Sequence, residues 1–204
     1  MIWKRAAALS LAVAFAAALA VPAAAQEIVE PKSGVKFAAS TDGMSLLGVG
    51  LRTKTFLKVK VYAVGFYVAD AALAGPLAAH KGKTATPAFY KDLVSGDFEK
   101  QILMKFTRDV TADQIQTAFR ETLGAADPTK LNQFLAFFGD TKEGQSYEIA
   151  WKNGALETKV AGLGKTPIAD AKFAAAVFGI WLGEKPIQDD IKKGLVSRAG
   201  ELIK

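Results

Sequence analysis

The chain has 204 residues, with 26 Lys and Arg against 20 Asp and Glu for a formal charge of +6, which is room for one ordinary domain and not comfortably two. It holds no cysteine and a single histidine, His80, so a disulfide, a thiol nucleophile, a thiolate metal site and a histidine-rich metal site are all excluded. Hydrophobic residues make up 50% of it, a share raised by the first 25 positions, where only Lys4, Arg5, Ser10 and Pro22 are not apolar.

Those positions read as an address and not as structure. Lys4-Arg5 gives a positive start, Ala6 to Val21 an apolar stretch of mostly small residues, and Pro22 a helix break before the small-x-small site Ala23-Ala24-Ala25. An uncleaved anchor is the alternative, disfavoured because the cleavage site sits at the right distance and Leu and Ile are sparse. The short apolar stretch and the Ala-Ala-Ala-Gln junction read as bacterial, which predicts a periplasmic or secreted protein. No later stretch reaches the ~18 apolar residues of a spanning helix, so no stable membrane insertion is expected once residues 1–25 are removed.

Gln26 to Lys204 contains no linker, repeat or long charge block and reads as one domain. Strands are predicted over Val35 to Ala39, Ser45 to Arg52 and Phe56 to Val68. In the last of these Leu57, Val59, Val61 and Ala63 alternate with Lys58, Lys60 and Tyr62. Gly48, Gly50 and Gly65 inside these runs predict bulges or close backbone approach. Helices are predicted over Ala71 to Lys81 and Pro87 to Leu93, the second capped by Thr86. Phe98 to Phe106 returns to strand. Thr111 caps a helix from Ala112 to Leu123 with Ile115, Ala118, Phe119 and Thr122 on one side. Asp127-Pro128 opens a helix whose Leu131, Phe134, Leu135 and Phe138 face inward until Gly139. Tyr147 to Trp151 and Ala155 to Val160 form a hairpin around Asn153-Gly154. Ala169 to Leu182 is a buried helix with Phe173, Val177, Ile180 and Trp181 on its large-residue side, and a shorter helix follows Pro186. The pattern is α+β, an antiparallel sheet with helices on one face.

Few residues carry recognisable chemistry. Arg52 follows Gly48-Val49-Gly50-Leu51, where a guanidinium beside glycines can grip a carboxylate bidentately. Spacing alone favours the other reading, a solvated arginine at a sheet edge. Tyr62 is the polar exception in its strand, either an amphipathic sheet residue or a phenol offered to a ligand. His80 reads as a solvated or helix-terminal residue. Lys54, Lys58, Lys60, Lys100 and Lys105 are scattered on strands, so no nucleic-acid partner is expected. Gly162-Leu163-Gly164-Lys165-Thr166 lacks the glycine spacing and context of a phosphate loop. No Ser-His-Asp arrangement is legible, no cofactor is expected, and nothing in the pattern specifies an oligomer.

Taken together, several strings resemble the chalcone isomerase-like family: Gly48-Val-Gly-Leu-Arg52, then Tyr62-Ala-Val-Gly65-Phe-Tyr67-Val, Phe106-Thr-Arg-Asp-Val-Thr111 and Ile180-Trp-Leu-Gly-Glu-Lys-Pro186, in the family's order. The resemblance implies an open-faced β-sandwich with a ligand cleft between sheet and helices. It also implies two functional classes, isomerases that close a chalcone to a flavanone and binders that hold a fatty acid. By that resemblance Arg52 takes the family's arginine position, and Tyr62 falls where binders have tyrosine and isomerases threonine. Three further cleft positions of the isomerases land on Ile115, Thr122 and Ile180. Ile115 and Ile180 supply no donor for charge developing on a ketone oxygen. An apolar cleft with one cation and one phenol suits an aliphatic acid. The resemblance therefore implies a carrier of a fatty acid or similar apolar carboxylic acid. An intramolecular lyase on a phenolic or enone substrate is the second reading, and a structural or partner-binding domain without ligand the third. For the leader, the expected outcome is a secreted protein that begins at Gln26. Intact mass and N-terminal sequencing check this, and a membrane-bound product retaining Met1 contradicts it.

Overall fold

The computed structural model describes residues 26–54 and 57–204. The leader read over residues 1–25 and the start of the predicted Phe56 strand lie outside the described residues. Strands β1 (Glu27–Val29) and β2 (Lys36–Ala38) pair as a separate two-stranded unit. Seven further strands form one antiparallel sheet in chain order: β3 (Ser40–Thr41), β4 (Met44–Lys54), β5 (Val59–Ala69), β6 (Lys100–Phe106), β7 (Ser146–Lys152), β8 (Ala155–Val160) and β9 (Leu163–Gly164). The helices are α1 (Asp70–Ala74), α2 (Pro87–Ser95), α3 (Ala112–Leu123), α4 (Pro128–Leu135), α5 (Ala171–Leu182), α6 (Asp189–Gly194) and α7 (Ala199–Leu202). Among the described residues no helix is long and apolar enough to cross a membrane.

Side-chain alternation decides which face of the sheet meets which layer. β6 and β7 alternate between buried and half-buried positions, up to the exposed Lys152 that ends β7. β5 is buried without interruption from Tyr62 to Val68, because both of its faces are covered. Tyr62, Val64, Phe66 and Val68 join the large core under the helices, while Ala63 and Tyr67 join a smaller core with Phe37 of β2. Gly65 fits between them because a Cβ there would come within 2.8 Å of the Phe37 ring. The β1–β2 hairpin is thus a second cover that the α+β pattern did not predict. Only its Val35 to Ala39 half read as a strand.

The helix layer is built around aromatic edges. Phe134 meets Phe119, Phe138 and Phe173 edge-on, and Phe138 continues to Tyr147 and Phe106. The capping residues read from the sequence are in place. Thr86 accepts from the Phe89 N–H, Asp127 from that of Lys130, and Thr111 closes a capping box with Gln114. Asn153 and Gly154 take φ of 51° and 73°, the left-handed pair that a two-residue hairpin turn requires.

Several boundaries differ from expectation. Ala71 to Lys81 is two pieces, α1 and a 3-10 turn over Pro76–His80, because Pro76 has no N–H to continue a helix. The strand read from Phe56 begins at Val59, and Leu57 lies in a turn where Lys58 has φ of 50°. Regular helix in α4 stops at Leu135, although Phe138 remains buried in the following turn. Asp170 caps α5, accepting from the Phe173 N–H at 2.8 Å, so that helix starts at Ala171 rather than Ala169. His80 ends the 3-10 turn, the helix-terminal one of its two readings, and is not solvated. It is 9% exposed, with Nε2 2.7 Å from Asp92 Oδ2 and its ring edge-on to Phe89.

Gly48, Gly50 and Gly194 let helix and strand backbones touch. A Cβ on Gly48 would overlap the Gly194 carbonyl oxygen, and one on Gly50 would come within 3.2 Å of Ile191 Cα. Arg198 locks the contact where the β4–β5 register shifts between Leu46 and Gly48. Its N–H donates to the Leu47 carbonyl at 2.8 Å and its Nη1 to that of Leu46 at 2.6 Å. Gly48→Ala is expected to lower unfolding free energy by roughly 2–3 kcal/mol by forcing α6 off the strand, measured by urea denaturation. A loss within that of an exposed-loop substitution would contradict the close approach.

Lys100 is likewise not a solvated strand lysine. It is 2% exposed, donates from Nζ to the Val94 and Gly96 carbonyls at 2.9 and 2.8 Å, and lies over the rings of Phe98 and Phe178. Burial pulls its pKa down to about 8, opposed by the nearby Asp97 charge. Between that value and the ordinary lysine value the unfolded chain holds a proton that the folded protein releases, so this contribution to stability grows with pH. Burial raises the pKa of Tyr62, Tyr67 and Tyr147, and unfolded tyrosines ionising near pH ~10 reverse the trend. Wild-type stability is expected to rise by about 1–2 kcal/mol from pH 8 to 10. Lys100→Met should lack that rise in parallel denaturation series.

Candidate functional site

A cleft of about 360 Å³ opens between α3 and the β4–β6 part of the sheet, within the range of ~300–1,000 Å³ usual for small-molecule sites. Its walls are largely apolar: Val59, Val61, Met104 and Phe106 from the sheet, Ile115, Ala118 and Phe119 from α3, Ile180 from α5, and Ile187 after it. Arg52, Tyr62, Ile115, Thr122 and Ile180, the five residues singled out from the sequence, all line this one cleft. Lys54, Arg108 and Glu121 stand at exposed positions around it. Among the lining residues three cations thus face one carboxylate, a balance that favours an anion.

Arg52 and Tyr62 are direct partners in the β4–β5 register, next to a shift between Arg52 and Thr53. Arg52 is half-buried, and its Nη1 donates to the Thr53 carbonyl at 3.0 Å, the Ile187 carbonyl at 3.3 Å and Gln188 Oε1 at 3.4 Å. Gln188 is itself held by strand backbone, accepting from the Thr53 N–H at 3.2 Å and donating to the Leu51 carbonyl at 3.3 Å. Every protein acceptor of Arg52 among the described residues meets Nη1. The N–H groups of Nε and Nη2 remain for a ligand, a planar pair that matches a carboxylate.

Tyr62 is 7% exposed and its hydroxyl accepts from Trp181 Nε1 at 3.1 Å. With the lone pair engaged, the phenolic proton is left to donate. Burial raises the Tyr62 pKa, against the opposing pull of the Trp181 hydrogen bond and the Arg52 charge, so the phenol keeps that proton at neutral pH. Arg52 is therefore close enough for its charge to act on Tyr62, and both offer donors to the same space.

The other three positions contribute shape. Ile115 and Ile180 are 6% and 1% exposed and carry no polar atom. Thr122 is exposed, and its hydroxyl donates to the Ala118 carbonyl of its own helix at 2.9 Å. No group of three or more potential metal ligands occurs among the described residues. Sequence reasoning missed Trp181 and Gln188 as parts of the site. Trp181 read as core, and its N–H signalled a need for some partner, but only the packing of α5 on β5 makes that partner Tyr62. Gln188 carried no signal, since it reaches Arg52 through the turn after α5.

Comparison with known proteins places this geometry among relatives of two kinds. The family profile described as chalcone isomerase-like matches residues 25–197. A chalcone–flavanone isomerase of Callistephus chinensis is 28% identical over 88% of this chain and 86% of its own length. Chalcone isomerase-like protein 1 of Humulus lupulus is 30% identical over 76% and 82%, and fatty-acid-binding protein 1 of Arabidopsis thaliana 25% identical over 87% and 72%. The crystal structure of an Arabidopsis thaliana fatty-acid binding protein superposes with a TM-score of 0.76 at 22% identity, over 87% of this chain and 99% of that one. That likeness extends to the curled seven-stranded sheet and its helices. With a family match running through β4, β5, β6, α3 and α5, which together line the cleft, the chain belongs to the chalcone isomerase-like family.

Proposed function

We propose that the cleft binds a fatty acid or a similar apolar carboxylic acid, and that the protein does so in the periplasm or outside the cell after losing residues 1–25. The observation that carries the reading is the donor set: N–H groups of Arg52 without a protein acceptor among the described residues, and a Tyr62 proton left over from its bond with Trp181. A carboxylate accepts from both. The apolar walls take the tail, each buried methylene contributing about 0.8 kcal/mol, so affinity grows with chain length until the cleft is full. Relatives named as fatty-acid-binding proteins support this reading.

An isomerase reading is supported by relatives named chalcone–flavanone isomerase. Cyclisation of a phenol onto an enone needs donors placed for charge on the ketone oxygen. Ile115 and Ile180 supply none, and the Thr122 hydroxyl is engaged within its helix. The binding reading is the stronger.

The test separates a carboxylate anchor from a structural arginine, which matters because Arg52 also ties β4 to the segment after α5. Arg52→Ala is expected to weaken binding of a long-chain acid by about 2–4 kcal/mol. Tyr62→Phe keeps the ring and is expected to cost about 0.5–1.5 kcal/mol of binding. It also lowers the melting temperature, since it strands the Trp181 N–H. The methyl ester of the same acid should bind the wild type worse and be nearly indifferent to Arg52→Ala. Calorimetric titration of both ligands checks this. Equal losses for acid and ester, with reduced stability, would show that Arg52 only holds the fold.

A further inference from the structure

The turn between β4 and β5 breaks the usual rule for such turns. Turn residues are mostly Gly, Asn, Asp, Ser and Pro, yet this one presents Leu57, 78% exposed. The other exposed large hydrophobics among the described residues, Leu163 and Val29, reach 68% and 48%. Lys54, Lys58 and Lys60 around it are exposed as well. No acidic residue occurs anywhere in the sequence between Asp42 and Asp70, so the tip is basic without local compensation.

This tip is continuous with the cleft. Lys54 and Val59, on either side of the turn, line the cleft, and the exposed Arg108 adds a further cation to the same lining. An apolar side chain set among ammonium groups matches a boundary where acyl chains lie beneath anionic headgroups. Leucine is favoured beneath that boundary and lysine at it. We propose that the β4–β5 tip docks on an anionic lipid bilayer and presents the mouth of the cleft to it. Leu57 enters the acyl region, and Lys54 and Lys58 meet lipid phosphates, while Lys60 is held by the Lys32 carbonyl. The contact is peripheral and reversible, since one leucine and a few lysines fall well short of a stable anchor. It gives an apolar ligand a path between bilayer and cleft.

The inference needs no ligand in the cleft, so its test runs without one. The protein as its producing cell makes it is mixed with vesicles of phosphatidylcholine alone, or of phosphatidylcholine with about a third phosphatidylglycerol, and the bound fraction is read by sedimentation. Binding is expected to the anionic vesicles only, and to fall as salt screens the headgroups. Leu57→Ser should lower it about tenfold or more. Lys58→Gln should lower it about fivefold. Leu163→Ser, at an exposed leucine of the edge strand β9, should leave it within twofold. All variants share one N-terminus, so differences between them report the tip. Leu57→Ser should also bind a long-chain acid in free solution within twofold of wild type, which keeps the fate of this proposal separate from that of the cleft reading. Equal binding to both vesicle types, equal losses for Leu57→Ser and Leu163→Ser, or no vesicle binding at all would overturn it. The last is also the result that an acidic protein partner in place of a bilayer would give.

Discussion

The cleft depends on backbone contact between α6 and the glycine side of β4. Gly48, Gly50 and Gly194 remove the side chains that would separate the two elements. Without that approach the segment from Ile187 to Gln188 would not reach the end of the strand, and Arg52 would lose two of its three acceptors. A long, half-buried cation on a strand otherwise samples many rotamers. Here two carbonyls and one amide oxygen hold Nη1 from one side, which restricts the guanidinium's rotamers and fixes where its opposite edge points. Close packing far from the cleft thus sets the direction in which a charge inside it points.

A second constraint comes from the buried polar groups, nearly all of which are satisfied by protein. Lys100 closes the carbonyls at the end of α2, Trp151 donates to Asp97 at 2.9 Å, and Thr141 meets Tyr147. Among the described residues only the hydroxyls of Thr107 and Thr158 are buried without a partner. Among the described residues the one protein partner of the Tyr62 hydroxyl, Trp181, donates to it, and Tyr62 lines open space. Tyr67 spends its proton on the Ala38 carbonyl at 2.9 Å. Of two tyrosines five positions apart on one strand, one therefore ties down the β1–β2 hairpin and the other retains a proton to offer.

Binding and catalysis ask different things of such a cleft. Both uses need an apolar cleft and a cation. Catalysis needs in addition donors aimed at charge that appears only in the transition state. Apart from Tyr62, the buried side chains of the cleft are valine, isoleucine, phenylalanine and methionine, which carry no hydrogen-bond donor.

Local pattern determined much of this protein. The β6 and β7 strands, the capped α2, α3 and α4, and the Asn153-Gly154 hairpin follow from side-chain period, capping residues and turn chemistry, which act within a few residues. Four ordered strings, the glycine–arginine strand and its tyrosine partner strand first, carried the resemblance, and the five positions it singled out meet in one cleft. What tertiary structure alone decided involves partners far apart in sequence. Lys100 looks like any strand lysine until α2 and α5 close over it. His80 reads as a helix-terminal or solvated residue, and only the arrival of Asp92 and Phe89 from the next helix buries it. The β1–β2 hairpin is too short to announce itself, and it forms because Phe37 finds Gly65 bare. Trp181 and Gln188 became parts of the site only through α5 packing on β5 and α6 on β4, since periodicity shows that a side chain is buried but not which atom it meets.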